Sequence, residues 1–201
     1  NLAEIELILA TTTLLGKLNF KDFKVRINER RILKAMASYS GFTEDQYDQV
    51  FIILDKMDKI GWDGVKAELI ESGYPEANVE KYVTMFDEME KAEDALAYLS
   101  EKLSGVLEED VIENLRTIRT SVEATAASQF QLVFDPTLVR GMSYYTGTIF
   151  EIEMAEFGSS VAGGGRYDKM IGKFTGKDTP ACGFSIGFER IITILMEQNF
   201  Q

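Results

Sequence analysis

Three arginines in the last third of the chain stand close to glycine, and these residue types suit ligand binding. Arg140 precedes Gly141, Arg166 follows three consecutive glycines, and Arg190 comes three residues after Gly187. Glycine lets a ligand approach the backbone closely. A guanidinium group binds phosphate or carboxylate oxygens through paired hydrogen bonds. The pattern therefore indicates a site for an anionic, nucleotide-like ligand.

Three tyrosines accompany these arginines. Tyr144 and Tyr145 follow Arg140, and Tyr167 follows Arg166. Their rings could line a pocket and hydrogen-bond a polar, aromatic ligand. Each feature also has an ordinary structural explanation, since a triple glycine is often a turn and a Tyr-Tyr pair can simply pack in a core. Only their combination within about 50 residues favours a site.

Other reactive residue types carry less weight. Glu151 and Glu153, two apart on a predicted strand, share a face and could bind Mg²⁺, but a solvated strand face is the simpler interpretation. Cys182 is the single cysteine, so the chain has no internal disulfide, and packing is its simplest role. We identify no metal ligands.

The composition is that of an acidic globular protein. Net charge is −12 and the pI is about 4.6, which argues against a free-standing nucleic-acid-binding protein. The sequence has no apolar run long enough to cross a membrane and no signal-peptide pattern. We expect no membrane association and a cytoplasmic protein. Because the chain begins with Asn1, we also expect the natural protein to have residues before it.

The elements that must position these residues fall into three stretches. Helical spacing at residues 3–18 and 30–36 flanks a strand pattern at residues 23–28. Strand patterns then return near the end, followed by a helix over residues 188–196. Between these first elements and the later strand patterns lie amphipathic helical segments at residues 45–57, 62–70, 77–103 and 107–118. The later strand patterns are residues 131–134, 148–154, 159–162 and 181–186, and the glycines at 163–165 suggest the end of the third of these strands.

This order predicts one α+β domain interrupted by an all-helical insertion. We assign residues 1–40 and 122–201 to the interrupted domain and residues 41–121 to the insertion. Charge supports the division, because residues 41–120 hold 20 acids and 8 bases, a net −12, and the remainder sums to zero.

Three segments resemble motifs of the histidyl-tRNA synthetase family. Residues 138–148, LVRGMSYYTGT, resemble its first histidine-specific motif, and residues 160–168, SVAGGGRYD, resemble its second. Residues 183–190, GFSIGFER, are similar to motif 3 of class II aminoacyl-tRNA synthetases. Residues 23–28, FKVRIN, and 54–61, LDKMDKIG, also look like the family, so the resemblance covers essentially the whole chain.

The resemblance implies roles for particular residues. Arg140 matches the catalytic arginine, which contacts the α-phosphate of ATP and the carboxylate of histidine. The remaining assignments form two sets. The histidine pocket is matched by Tyr144, Tyr145, Gly164, Arg166 and Tyr167, and the ATP site by Arg140, Gly183, Gly187 and Arg190.

The resemblance also implies a fold and an activity. The fold is a class II synthetase-type antiparallel sheet with flanking helices. The activity is a histidine–tRNA ligase, in which ATP, with Mg²⁺ whose ligands are not identified, activates histidine to histidyl-adenylate before transfer to tRNA(His). A homodimer is implied for the full-length protein. The helical insertion, by the same resemblance, lies between motifs 2 and 3 and can touch the tRNA acceptor arm.

Two departures from the family pattern bear on activity. Ser143 stands where the common motif has aspartate, which we interpret as a tolerated variation because Arg140, Tyr144, Tyr145 and Thr146 are kept. Motifs 1 and 2 and the anticodon-binding domain are not found, so we expect the isolated chain to be inactive. The alternative is a non-enzymatic, synthetase-like regulatory subunit of ATP phosphoribosyltransferase. A further alternative treats residues 41–121 as a protein-interaction module.

Overall fold

The computed structural model describes residues 1–141, 143–155 and 158–198. Met142, inside the first motif, and the last three residues of the predicted 122–201 segment therefore lie outside the described residues. The chain divides into two compact units. Unit 1 comprises Asn1–Asn28, Leu115–Asp135 and Tyr144–Gln201, and unit 2 comprises Glu29–Asn114 and Pro136–Ser143. The predicted assignment of residues 41–121 to an insertion and the rest to a class II core stays a prediction.

Unit 1 is built on a five-stranded sheet in the order β2-β1-β3-β4-β5. Strands β1 and β2 pair in parallel, whereas β3 with β4 and β4 with β5 are antiparallel. The strands are β1 (Phe23–Glu29), β2 (Phe130–Phe134), β3 (Thr148–Met154), β4 (Ser159–Arg166) and β5 (Cys182–Ile186). The α+β prediction is confirmed.

Helices accompany this sheet, and α1 packs against β5. Buried apolar side chains of the helices and the sheet, including Ile8 and Leu15 of α1 and Ile149 and Phe150 of β3, are fully excluded from solvent. Burial of that kind contributes about 25 cal/mol for each Å² of apolar surface, which is the main stabilising term of the unit. The helices are α1 (Leu2–Lys17), the final part of α7 (Glu109–Thr125), α8 (Gly172–Thr175) and α9 (Phe188–Glu197).

The glycines of β4 do not end the strand as the sequence suggested, and that prediction is wrong. Gly163, Gly164 and Gly165 pair with β3 on one side and with β5 on the other. A Cβ at Gly164 would lie 2.0 Å from the Gly183 carbonyl oxygen, and one at Gly165 would lie 2.6 Å from the Thr148 oxygen. The neighbouring backbones therefore leave no room for side chains, and the strand continues to Arg166.

Unit 2 is helical over its described residues. Its core is formed by fully buried side chains contributed by different helices, such as Leu33, Val50, Leu69 and Leu99. The helices are α2 (Arg30–Tyr39), a 3₁₀ turn (Glu44–Gln46), α3 (Tyr47–Leu54), α4 (Met57–Glu71), α5 (Glu76–Lys91), α6 (Ala95–Lys102) and the start of α7. No helix in the described part of the chain is long and apolar enough to cross a bilayer.

The predicted long helix over residues 77–103 is instead two helices, so its continuity was predicted wrongly. Helix α5 ends at Lys91, and Ala92 has extended backbone angles. Asp94 then begins α6, because its carboxylate accepts hydrogen bonds from the backbone nitrogens of Leu96 and Ala97 at 2.9 and 3.0 Å. Such a cap satisfies the free amides of a new helix end. A second helix therefore begins at this point although the apolar pattern is continuous.

Candidate functional site

The three predicted tyrosines come together in unit 1. The ring centroids of Tyr144 and Tyr145 are 4.7 Å apart, and those of Tyr144 and Tyr167 are 5.8 Å apart. The Tyr145 and Tyr167 centroids are separated by 6.4 Å. Tyr145 is buried, whereas the other two rings are half-buried. The cluster therefore presents aromatic walls with partial access from solvent.

Backbone hydrogen bonds join the three segments that carry this cluster. The Thr146 amide donates to the Arg166 carbonyl oxygen at 2.8 Å, and the Tyr167 amide donates to that of Ala181 at 2.8 Å. The Asp168 amide donates to the Thr146 hydroxyl at 3.1 Å. Asp168 in turn accepts from the Ala181 amide through Oδ1 at 3.0 Å. These bonds fix where Tyr145 and Tyr167 leave the backbone.

The Tyr167 hydroxyl lies directly over Gly183. A Cβ at Gly183 would lie 2.5 Å from the Tyr167 hydroxyl oxygen. Gly183 is the register partner of Gly165, so the two residues share one face of the sheet. The protein's own atoms fill the space beside both glycines, because a Cβ at Gly165 would lie 2.6 Å from the Thr148 carbonyl oxygen.

Arg26, Asp135 and Glu151 form an ion-pair group on the sheet that the sequence analysis missed. Arg26 Nε lies 2.7 Å from Asp135 Oδ2, and its Nη1 lies 3.4 Å from Glu151 Oε1 and 4.0 Å from Glu153 Oε2. The alternation of Lys24, Arg26 and Asn28 along β1 was the available signal. Glu151 and Glu153 are therefore paired with the guanidinium group of Arg26. Within the described ranges, no cluster of three or more His, Cys, Asp or Glu side chains is arranged to hold a metal.

Arg166 is engaged by two carboxylates. Its Nε and Nη2 donate to Glu4 at 2.5 and 3.0 Å, and Nη1 donates to Asp168 at 2.9 Å. Burial alone raises the pKa of Glu4, but the hydrogen bonds and charge of Arg166 outweigh it and lower the pKa from 4.5 to about 2. The hydrogen bond to Glu4 likewise raises the pKa of Arg166. Sequence reasoning missed Glu4, which carried no signal in the helical pattern of α1.

Arg190 and Gly187 lie at the start of α9. The Arg190 Nη1 donates to the Ser160 carbonyl oxygen, and the side chain is exposed. A Cβ at Gly187 would lie 3.2 Å from Arg190 Cδ and 3.3 Å from the Val161 carbonyl oxygen. The first turn of α9 thus carries an accessible guanidinium group next to a tightly packed glycine.

Cys182 is the first residue of β5 and precedes Gly183. Burial raises the pKa of its thiol to about 11, so the neutral thiol dominates near pH 7. The residue is half-buried and unsuited to nucleophilic chemistry. This agrees with the packing role that the sequence favoured.

Arg140 belongs to unit 2 and is described there by itself. It has φ of +56°, in the left-handed region that side chains disfavour, and its side chain is half-buried. Leu138 and Val139, which precede it, are 4% and 3% exposed. Arg140 also lines a cavity of about 420 Å³. The predicted convergence of Arg140 with Tyr145, Tyr167 and Arg190 around one ligand stays a prediction.

Comparison with known proteins identifies the family of this chain. The family model described as Histidyl-tRNA synthetase matches residues 2–191. The chain belongs to the histidyl-tRNA synthetase family. A protein of Leifsonia xyli subsp. xyli (strain CTCB07) named histidine–tRNA ligase is 44% identical over 198 residues, which cover 96% of this chain and 46% of that protein. The chain therefore spans about half the length of the curated relatives that it matches.

Solved structures agree on the fold of this synthetase-family chain. The crystal structure of histidyl-tRNA synthetase from Nostoc sp. PCC 7120 matches with a TM-score of 0.81 and 28% identity, covering 100% of this chain and 48% of that one. A structure described as an ATP phosphoribosyltransferase regulatory subunit/histidyl-tRNA synthetase, from Bacillus halodurans C, has a TM-score of 0.73 at 20% identity, covering 95% of this chain and 49% of that one. The second likeness shows the fold alone. The class II synthetase-type fold is thus confirmed.

Proposed function

We propose that the chain is the part of a histidine–tRNA ligase that binds histidine and ATP for formation of histidyl-adenylate. The observation that carries the proposal is the tyrosine cluster at Tyr144, Tyr145 and Tyr167, in which the Tyr167 hydroxyl lies over Gly183. Family membership supports the same reaction. The full-length protein then transfers the histidyl group to tRNA(His).

In this proposal the tyrosines recognise the amino acid. Tyr145 and Tyr167 hydrogen-bond the imidazole ring or stack beside it, and Tyr144 completes the wall. Gly164 lets β4 and β5 approach closely beside the pocket, because a Cβ there would lie 2.0 Å from the Gly183 carbonyl oxygen. Arg166, whose guanidinium is paired with Glu4 and Asp168, fixes the backbone from which Tyr167 projects. A ligand that lacks the imidazole nitrogens would leave buried polar groups unpaired, which is a strong basis for selectivity.

The proposed ATP site uses cationic side chains and glycines. Gly183 and Gly187 belong to this proposed site, and Arg190 binds the phosphates of the nucleotide. Arg140 binds the α-phosphate, on which negative charge develops when the histidine carboxylate attacks it and pyrophosphate leaves. A fixed cation there stabilises the transition state more than the ground state. Mg²⁺ accompanies the nucleotide in this proposal, without ligands assigned from the chain.

The remaining assignments belong to the full-length protein. We propose that it is a cytoplasmic homodimer that binds tRNA(His). Residues 1–40 and 122–201 form part of its catalytic core, and residues 41–121 form the insertion that approaches the acceptor arm.

Histidine-dependent exchange between ATP and pyrophosphate tests the reaction in the full-length product of the gene. We expect exchange with histidine and none with the other amino acids. Arg140→Ala should lower kcat by about 10²–10³-fold, the range for loss of one transition-state electrostatic contact. The matched control is Arg119→Ala, which removes an exposed arginine paired only with Glu123 among the described contacts and should leave kcat unchanged. Absence of histidine-dependent exchange in the wild-type protein would refute the proposal.

The isolated chain provides a second test. We expect no exchange above background, because two family motifs are not found in it: motif 1, which by resemblance builds the dimer interface, and motif 2, which supplies a further ATP-binding arginine and the glutamate that pairs with the imidazole. Turnover by the 201-residue chain alone would contradict this expectation and assign the whole reaction to the residues present here.

A further inference from the structure

Arg30, the first residue of α2, is a buried arginine of unit 2 to which the proposed reaction gives no role. Its side chain is 4% exposed, and its guanidinium carbon lies 5.0 Å from the centroid of the Phe51 ring in α3. Burial lowers the pKa of Arg30, and the negative charge of Asp48 opposes that effect. An arginine remains protonated under such conditions, so a cation is held inside the unit. Buried cations are costly unless they bind specific partners.

This cation binds the backbone next to Arg140. Arg30 Nη1 donates to the Val139 carbonyl oxygen at 3.3 Å, a bond that is itself buried. Arg30 Nε is also buried and has no hydrogen-bond partner among the described atoms. The guanidinium group therefore lies between the ring of Phe51 and the peptide that joins Val139 to Arg140.

That peptide needs an external restraint. Arg140 has φ of +56°, which a residue with a side chain rarely adopts unless its surroundings impose it. The preceding Val139 is anchored by its own burial, and its carbonyl oxygen is the acceptor that Arg30 uses. Arg30 and Arg140 also line the same cavity, together with Asp48 of α3 and Asp55, which follows the last residue of α3.

We propose that Arg30 is a positioning residue for Arg140, holding the Val139–Arg140 peptide so that the Arg140 guanidinium points at the reacting phosphate. Phe51 and Asp48 hold Arg30 in turn, so helix α3 contributes to the aim of Arg140. The inference rests on the proposed function, because it needs Arg140 to act on ATP. A displacement of about 1 Å at a catalytic group can reduce rate by roughly 10²-fold, so loss of this restraint should appear in kcat.

The experiment measures histidine-dependent ATP–pyrophosphate exchange by the full-length gene product, with rates expressed per titrated active site. Arg30→Met should lower kcat by about 10–100-fold and leave KM for ATP and histidine within about twofold. Arg30→Lys keeps the charge over Phe51 but loses the planar fork. It should fold like the wild type and lower kcat by about 10-fold, and it carries the test if Arg30→Met is insoluble. The matched control is Arg119→Met, which removes an exposed guanidinium paired with Glu123 and should leave kcat unchanged.

A double-mutant cycle separates positioning from mere structural support. In an Arg140→Ala background, either Arg30 substitution should change kcat by less than about twofold, because the group that it positions is gone. Multiplicative losses in that background, or an unchanged kcat per titrated site in the single variants, would overturn the inference. Absence of exchange in the wild type would instead refute the proposed function. Loss of exchange only in the Arg30 variants and in Arg140→Ala supports both.

Discussion

At the scale of single residues, the Glu4–Arg166 pair ties helix α1 to the segment that carries Tyr167. We predict that Glu4→Gln lowers the free energy of unfolding by about 2 kcal/mol, the range for hydrogen bonds to charged groups. Arg166 would keep Asp168 but lose the better-buried carboxylate, since Glu4 is 3% exposed. Urea unfolding of the isolated chain measures the change. Glu6→Gln, an exposed carboxylate on the same helix, is the matched control and should differ from wild type by less than about 0.5 kcal/mol.

The same pair predicts a pH dependence. The pKa of Glu4 is lowered in the folded chain from 4.5 to about 2. Its stabilising contribution is therefore fully present above pH 4.5 and is lost as the pH falls from 4.5 towards 2. We expect the stability difference between wild type and Glu4→Gln to shrink across that interval. A difference that stays constant between pH 6 and pH 3 would contradict the assignment of the shift to Arg166.

At the scale of elements, helix α4 contains a kink whose cause is a single residue. Gly61 has φ of +67° and ψ of 176° between helical neighbours, a region that is essentially restricted to glycine. The following Trp62 ring lies 4.8 Å from the Phe86 ring of α5. The bend thus sets the direction from which α4 packs on α5. Sequence reasoning separated the helical segments 45–57 and 62–70, on either side of residues 58–61, but could not give the backbone angles that permit the packing.

We predict that Gly61→Ala destabilises the chain by about 1–3 kcal/mol, the cost of holding a residue with a side chain in that region. A clash with more distant residues does not contribute, because a Cβ at Gly61 would meet no such atom within 4 Å. Gly141→Ala, where a Cβ also meets nothing within 4 Å and φ is not positive, should change stability by less than about 0.5 kcal/mol. Equal thermal denaturation midpoints for the two variants would show that the kink carries no backbone strain for alanine.

At the scale of the whole molecule, charge limits what the chain binds by itself. The net charge of −12 repels the phosphates of RNA, and association with RNA depends on basic groups that release counterions. We predict that fluorescence anisotropy at 0.15 M salt detects no binding of labelled tRNA(His) to the isolated chain at about 10 µM. The affinity of the isolated chain would then be weaker than that of many proteins that bind nucleic acid non-specifically. The full-length gene product is the comparison, and we expect it to bind. A sub-micromolar Kd for the isolated chain would contradict the prediction.

The family and most of the elements were determined by the sequence itself. The motifs around Arg140, Tyr167 and Arg190 can be identified from the sequence alone, because they consist of particular residue types at fixed local spacing. Period-two and helical apolar spacing likewise predicted the strands and most helices, since one buried face imposes its period on a short segment.

The tertiary structure alone decided how those elements meet. The glycines at 163–165 resembled a strand end, and only the backbones of β3 and β5 on both sides show why no Cβ fits there. The break before α6 depends on the Asp94 cap, which competes with a continuous apolar pattern. Glu4 and Arg166 are 162 residues apart, and Arg30 and Val139 are 109 apart. Local spacing carries no information about such partners, because their contact is set by the packing of distant segments.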